Sequence, residues 1–425
     1  MSSSEKPSIK KQKVPQLSMS KLEIEAYPYE HKVGRTMDLI SQRVSKRNQE
    51  IIKKYDRQMV NESLAIATRV KHLEVVMNLS VLVNKDWDMV NSDDIDNLVY
   101  QVNTKYSDNG QETHTTYDHK KILKIFFRWF KLGSRSKNDV GDPEETKRIK
   151  TKNVKNKIVR EQLLTDEDLV ALVKNARNLR DKAMIAVAYE SGVRPGELLS
   201  LRLKHVKVDE YGAIISVDGK MGARNVRIVK SVPTLMTWID NHPFKEEPQY
   251  PLWVVQNKGT RYGYPLDSAT WKKQLGDISR RAGLKKRVYP NLFRHTSATN
   301  SANYLTESQL RKRQGWTPDS KMPSVYVHLV NADVDEAYLK HMGIKIEKKQ
   351  ETTMLPKLCP TCKSANSFES DICHQCGKAL DLESAITLEE NKSNQISELV
   401  KQAVAQEMQR ENHFLRKRIE ELESK

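Results

Sequence analysis

All four cysteines of this chain stand in one short window, CPTCKSANSFESDICHQC, as Cys359, Cys362, Cys373 and Cys376. Two C-x-x-C pairs in tandem can turn four thiolates onto one tetrahedral ion, so the window predicts a structural Zn2+ site. Iron in the same four-sulfur set is the other metal reading. Two disulfides would need an oxidising compartment, and the opening residues MSSSEKPSIKKQKVPQLSMS carry no apolar export stretch. A ribbon this small cannot bury a core of its own, so bound metal would supply its folding energy. Four protein ligands would leave no coordination position open for catalysis. The rest of the chain contains no cysteine, and its length is enough for sizeable apolar cores.

Periodicity says where. Val60, Leu64, Ala67, Val70, Leu73, Met77 and Val81 recur at steps of three and four and predict one buried helical stripe. Ile122, Ile125, Phe126, Trp129 and Phe130 predict another, and Asn91 and Ser92 read as the cap of a short helix between them. Thr165 and Asp168 form a capping-box pattern ahead of DEDLVALVKNARN. RDKAMIAVAYESG stops at Gly192, and Pro195 suits the first turn of a further helix. Only 214–217 and 226–229, flanking GKMGAR, read as strands of a hairpin. The fold class is therefore mainly α with a small antiparallel β-sheet (α+β). The organisation read from the chain is a disordered basic arm (1–21), a helical domain (22–135), a basic linker (136–160), a second domain (161–346), a zinc ribbon (355–380) and a helical tail (385–425). In the tail Ala405, Met408, Asn412, Leu415, Ile419 and Leu422 fit heptad a and d positions, with Asn412 as a register-fixing polar residue. Ile396, Leu399, Val400 and Val404 are out of phase, so a short coiled coil and a lone helix packed on the body both stay open.

No run of 18 apolar residues exists, so no helix is predicted to span a membrane. With 72 Lys+Arg against 55 Asp+Glu the net charge is +17, which favours a polyanionic partner. KTKNVKNKIVR, RRAGLKKR and the run Arg311 to Arg313 are candidate phosphate contacts, each equally readable as a solvated face. Arg194 in GVRPGELLSL, Arg294 in YPNLFRHTSAT and Tyr326 in PSVYVHL have the chemistry to cut a phosphodiester. Two planar guanidinium forks match non-bridging oxygens, and a phenol can attack the phosphorus held between them. No catalytic metal ion is needed for that.

The motifs GVRPGELLSL, LFRHTSAT, QGW and VYVHL, in that order, resemble the tyrosine recombinases or phage-type integrases, the family of Xer, Cre and lambda integrase. The resemblance covers about residues 22–343; the zinc window and tail lie outside it, as in an archaeal or mobile-element branch. It implies a helical core-binding domain at 22–135 and a tyrosine-recombinase catalytic domain at 161–346. It further implies a site-specific recombinase of the integrase, excisionase or resolvase type, working through a 3′-phosphotyrosyl intermediate without ATP. Arg194 and Arg294 would clamp the phosphate, Lys220 would protonate the leaving 5′ oxygen, and Tyr326 would be the nucleophile. Trp316 would donate its indole N–H to a phosphate oxygen, and Glu197 would support the arginines. Double-stranded DNA and a homo-oligomer, a tetramer on two paired sites, are the implied partners, with a cytoplasmic, nucleoid-associated location. A type IB topoisomerase-like nicking and closing enzyme and a catalytically decayed DNA-binding module are the rival readings.

Two departures from the family pattern stand out. Asn291 occupies the usual histidine position; its amide can donate to phosphate but cannot serve as a base. Flanking arginines are expected instead to lower the Tyr326 phenol from its ordinary value of about 10. His295 reads as a fold-supporting residue. One extra residue separates Trp316 from Tyr326, in a loop shaped by Pro318 and Pro323. Tyr338, the rival nucleophile, reads as packing beside Leu339.

Overall fold

The computed structural model describes residues 26–152, 154, 159–219, 222–257, 259–329, 338–339, 341–343 and 355–423, without the side chains of 328–329 and 414–423. The predicted arm, residues 153 and 155–158 of the predicted linker, and Lys220 lie outside the described residues. The chain divides into two units, residues 27–158 and the remainder.

The first unit is helical: α1 (Tyr29–Arg43), α2 (Lys46–Asn61), α3 (Ile66–Val83), α4 (Ser92–Tyr106), α5 (His114–Leu132), α6 (Lys137–Val140) and α7 (Glu144–Lys147). The stripe predicted from Val60 to Val81 is broken. Helix α2 ends at Asn61, Ser63 turns the chain with a φ of 53°, and α3 begins at Ile66. Val60 and Val81 at the two ends are exposed, while Val70, Leu73 and Met77 are buried. A period of three and four survives a turn of suitable length, so periodicity alone cannot see the break. The core gathers Ile52, Tyr55, Leu73, Val76, Trp87, Leu98, Leu123, Phe126 and Phe127. Trp87 and Phe126 meet edge to face at 5.0 Å, and the indole N–H donates to Ser80 Oγ at 2.8 Å. Asn91 caps α4 in a capping box with Asp94, as its sequence position suggested. The segment read as linker from 136 contains α6 and α7, and Ile149 beyond them joins the same core. Helices of one turn are too short to show a period.

The second unit begins with α8 (Asp166–Asn175), capped by the Thr165 and Asp168 box. Next comes α9 (Leu179–Ser191), whose residues Ala183 to Ala188 are all buried. Gly192 ends it at φ 62°; a Cβ there would stand 2.5 Å from Ser297 Oγ, so no other residue fits. Helix α10 (Pro195–Leu199) follows with proline in its first turn. The sheet has order β1 (Val206–Asp209), β2 (Gly212–Gly219), β3 (Gly222–Ile228), all antiparallel. Ala213, Ile215 and Val217 face inward opposite Ile228, Val226 and Arg224. Strand β1, absent from the sequence reading, is mostly exposed and so shows no apolar alternation. Helices α11 (Val232–Asp240), α12 (Ser268–Arg281), α13 (Pro290–Ala302), α14 (Glu307–Gln314) and α15 (Met322–Leu329) complete this body. Pro323 falls in the first turn of α15, so Tyr326 stands on a helix, not a loop.

A two-stranded ribbon, β4 (Lys357–Leu358) with β5 (Ala365–Asn366), carries the cysteine window. It is fastened to α11 and α9: Ser367 Oγ and Thr234 Oγ1 share a buried hydrogen bond of 2.7 Å, and Lys182 Nζ reaches Glu369 Oε1 at 3.2 Å. A helix of 42 residues, α16 (Leu382–Glu423), ends the described chain, with Ile396, Leu399, Val400, Val404 and Met408 exposed.

Candidate active site

Both arginines singled out in the sequence converge on the end of α14. Arg194, at the start of α10, donates from its guanidinium to the Gly315 carbonyl at 2.7 Å. Arg294, one turn into α13, donates to the neighbouring Gln314 carbonyl at 2.6 Å and to Gly192 O at 3.0 Å. Adjacent carbonyls held by the two forks place the guanidiniums side by side. Each has five N–H donors, so both retain donors for an anion. Burial, then the charge of Arg194, presses the Arg294 pKa down to about 10, which still leaves it charged at neutral pH.

Two like charges brought this close need a counter-charge, and Glu197 supplies it. Its carboxylate accepts from Arg194 Nη1 at 2.8 Å and from the Arg194 backbone N–H at 2.8 Å. It also takes a two-pronged pair of bonds, both 2.8 Å, from Arg224. Burial pushes the Glu197 carboxyl up, but the bonds from Arg224 and Arg194 outweigh it, and its pKa lies below the ordinary value. The hairpin closes against this carboxylate: a Cβ on Gly219 would come within 2.2 Å of Glu197 Oε1. Lys220 is the next residue and lies outside the described residues. Arg224 was not picked out from the sequence; its only signal is an arginine at an inward strand position opposite Val217.

The phenol lies under this charge. Tyr326 on α15 is 1% exposed and stacks on Trp316, ring centres 5.4 Å apart and planes 9° from parallel. The Arg294 guanidinium carbon is 5.5 Å from the centre of the same indole. The Tyr326 hydroxyl meets His295 Nδ1 at 2.7 Å. Burial pushes the phenol pKa up to about 12; Arg294 opposes this only in part, and Tyr289 adds to it. The expectation that flanking arginines lower it is thus overturned, because desolvation of the phenolate outweighs one neighbouring cation. His295, which the sequence marks only as fold-supporting, is the side chain that meets the Tyr326 hydroxyl. Asn291 sits one turn before Arg294 on α13 and is exposed. Tyr338 is 62% exposed, so it does not pack as expected. Of the basic clusters, Arg313 is bonded inward to the Arg227 and Glu190 carbonyls, and Lys286 to Asp168 and the Leu163 carbonyl.

The four cysteines converge separately. Their sulfurs all lie within 4.8 Å of one another; Cys359 and Cys376 are 3.5 Å apart, as are Cys362 and Cys373. Four ligands at about 2.3 Å around a tetrahedral zinc stand roughly 3.8 Å apart, so the set fits such an ion. The thiols are unpaired by disulfides, and the Cys362 backbone N–H points at Cys359 Sγ.

Among the described residues no helix is long and apolar enough to cross a membrane. The phage integrase family profile matches residues 162–332. Transposase A of transposon Tn554 from Staphylococcus aureus is 25% identical over 209 residues, 46% of this chain and 56% of that protein. Tyrosine recombinase XerC from Xylella fastidiosa is 30% identical over 125 residues, 29% of this chain and 39% of that one. The chain thus spans about half the length, or less, of these curated relatives. In fold it is similar to the XerH site-specific recombinase bound to its difH substrate, with a TM-score of 0.51 at 16% identity over 76% of this chain and 92% of that chain. It is also similar to lambda integrase bound to a core site, with a TM-score of 0.51 at 15% identity, covering 65% and 76% of the two chains. Those two structures carry the likeness of fold. Residues 162–332 thus match the phage integrase family, and within that stretch the chain is similar to tyrosine recombinases.

Proposed function

We propose that this chain is a site-specific DNA recombinase that cuts and rejoins duplex DNA through a 3′-phosphotyrosyl intermediate. The observation that carries it is the meeting of two guanidiniums and a stacked phenol at the end of α14. Arg194 and Arg294 hold the non-bridging oxygens and neutralise the charge that grows on them. Tyr326 attacks phosphorus, and Lys220 protonates the departing 5′ oxygen. Asn291 donates its amide to the phosphate. Trp316 supports the phenol and offers its N–H, and Glu197 fixes both Arg194 and Arg224. The phosphotyrosyl bond keeps the phosphodiester's energy, so religation needs no ATP. The partners are double-stranded DNA and further copies of the chain, four on two paired sites, in a DNA-associated protein. Cys359, Cys362, Cys373 and Cys376 would hold a structural zinc ion, and the tail helix would pair through its heptads. Nothing in the geometry favours nicking and closing without synapsis.

The test uses a nicked suicide duplex bearing the sequence that the protein itself traps covalently from a randomised duplex library. Wild type is expected to form a covalent DNA adduct, and Tyr326→Phe to bind the duplex yet form none. DNA binding without any adduct from wild type refutes the reading; an adduct from Tyr326→Phe refutes the choice of nucleophile.

A further inference from the structure

Attack by Tyr326 needs somewhere for the phenol proton to go. Asn291 cannot take it, because a carboxamide does not titrate near neutral pH. The group that the hydroxyl touches is an imidazole: Oη lies 2.7 Å from His295 Nδ1, with ring centres 6.1 Å apart. That distance is within the reach required of a general base. Arg294 and His295 are consecutive on α13, so one helix aims a guanidinium at the end of α14 and an imidazole at α15.

Taking Tyr326 as the nucleophile, we propose that His295 is a catalytic residue whose Nδ1 takes the phenol proton as Oη attacks phosphorus, and returns it when the strand is resealed. The Oη–P bond forms and the P–O5′ bond breaks. The phenol proton goes to Nδ1, and O5′ takes its proton from the general acid assigned to Lys220. Resealing runs the same transfers backward, with the imidazolium protonating the leaving phenol. The ring accepts in its Nε2–H tautomer. Burial and then Arg294 hold His295 below its ordinary pKa, so it is neutral and able to accept at physiological pH. With the phenol up near 12, only about one molecule in 10⁵ would carry a free phenolate at pH 7 without such help. Among the described residues, the ionisable groups whose charge acts on the pair are Arg294, on both His295 and Tyr326, and Tyr289, on Tyr326. Arg194, Glu197 and Arg224 act on Arg294 in turn.

The competing role for the same contact is a clasp that merely stores the tyrosine, and the two roles predict opposite kinetics. The experiment measures single-turnover adduct formation by the full-length protein on the nicked duplex described above, from pH 5 to pH 9. It compares wild type, His295→Ala, His295→Asn and Lys220→Ala, on that duplex and on the same duplex carrying a 5′-bridging phosphorothiolate. A base loses its effect in both variants: adduct formation slows about 10²- to 10⁴-fold with DNA affinity unchanged. The variant rates then climb with pH where wild type levels off. The phosphorothiolate, which leaves without a proton, restores Lys220→Ala but not the His295 variants. His295→Asn cleaving within threefold of wild type overturns the proposal, as does faster cleavage by either variant or rescue by the phosphorothiolate. If the alanine variant does not fold, the asparagine variant decides. The unmodified protein also decides by itself, since a rate that rises log-linearly with pH throughout, with no plateau, means an unassisted phenol. Absence of an adduct from wild type, or an adduct from Tyr326→Phe, defeats the nucleophile assignment instead.

Discussion

Glu197 is the residue on which the charge arrangement turns. Three cationic groups, Arg194, Arg224 and Arg294, crowd one end of α14, and a single buried carboxylate bonds two of them. Removing one partner of a buried ion pair leaves uncompensated charge, at a cost of about 3 to 5 kcal/mol. Glu197→Gln keeps the shape and loses the charge, so it should lower the melting temperature and slow adduct formation while Arg194 remains present. The pH dependence has a definite sign. The folded pKa lies below the ordinary 4.5, so the carboxylate's stabilisation is full above about pH 4.5 and is lost as pH falls through the folded value. Thermal melts of wild type and Glu197→Gln should therefore differ at pH 7 and converge on acidification; an equal gap at every pH would mean that the charge is not what stabilises. Glu197 was marked in the sequence by its match to a supporting acidic position of the family pattern, three residues after Arg194. Arg224 and His295 were not, because their partners come from other elements and no spacing announces a contact across 27 or 31 residues.

Elements whose stop signals are local were legible, and those defined by packing were not. Gly192, Pro195 and the Thr165 cap mark helix boundaries through their own backbone chemistry, and the structure ends and starts its helices there. The break between α2 and α3, the exposed strand β1 and the one-turn helices α6 and α7 carry no such mark. The ribbon has little apolar support, its buried cluster being Cys359, Cys373 and Leu380 with Cys362 packed against them. Its fold should then depend on the ion, as for other metal-held ribbons. Purified protein should contain one zinc per chain by elemental analysis, and Cys373→Ser should contain none. In that variant amide exchange over 355–380 should speed up, together with α11 around Thr234, which loses its Ser367 partner. Well under one zinc per chain in wild type, or unchanged exchange after its removal, would defeat this account.

Over the whole chain, counting charges gives a bound that the geometry of any one site cannot. There are 72 Lys+Arg and 55 Asp+Glu, so if every carboxylate were paired with one base, 72 − 55 = 17 cations would still lack a carboxylate partner. Many of the pairs are real: Arg128 and Lys124 with Asp142, Arg180 with Asp181 and Lys286 with Asp168 are used internally. The clusters read in the sequence as DNA contacts are thus partly scaffold, but the surplus remains. If it contacts about six to ten phosphates, released counterions make affinity fall about 10³- to 10⁵-fold between 50 and 200 mM salt. Fluorescence anisotropy on the selected duplex across that range measures the slope directly. A steep slope for both selected and scrambled duplexes, with an offset between them, separates the charge-driven part of binding from base readout, since only the latter distinguishes sequences. A shallow slope would mean that the surplus cations lie away from the DNA. In that case Arg194 and Arg294 would have to position the strand with little help from the rest of the surface, and neutralising Lys312, which is exposed on α14, would leave binding unchanged.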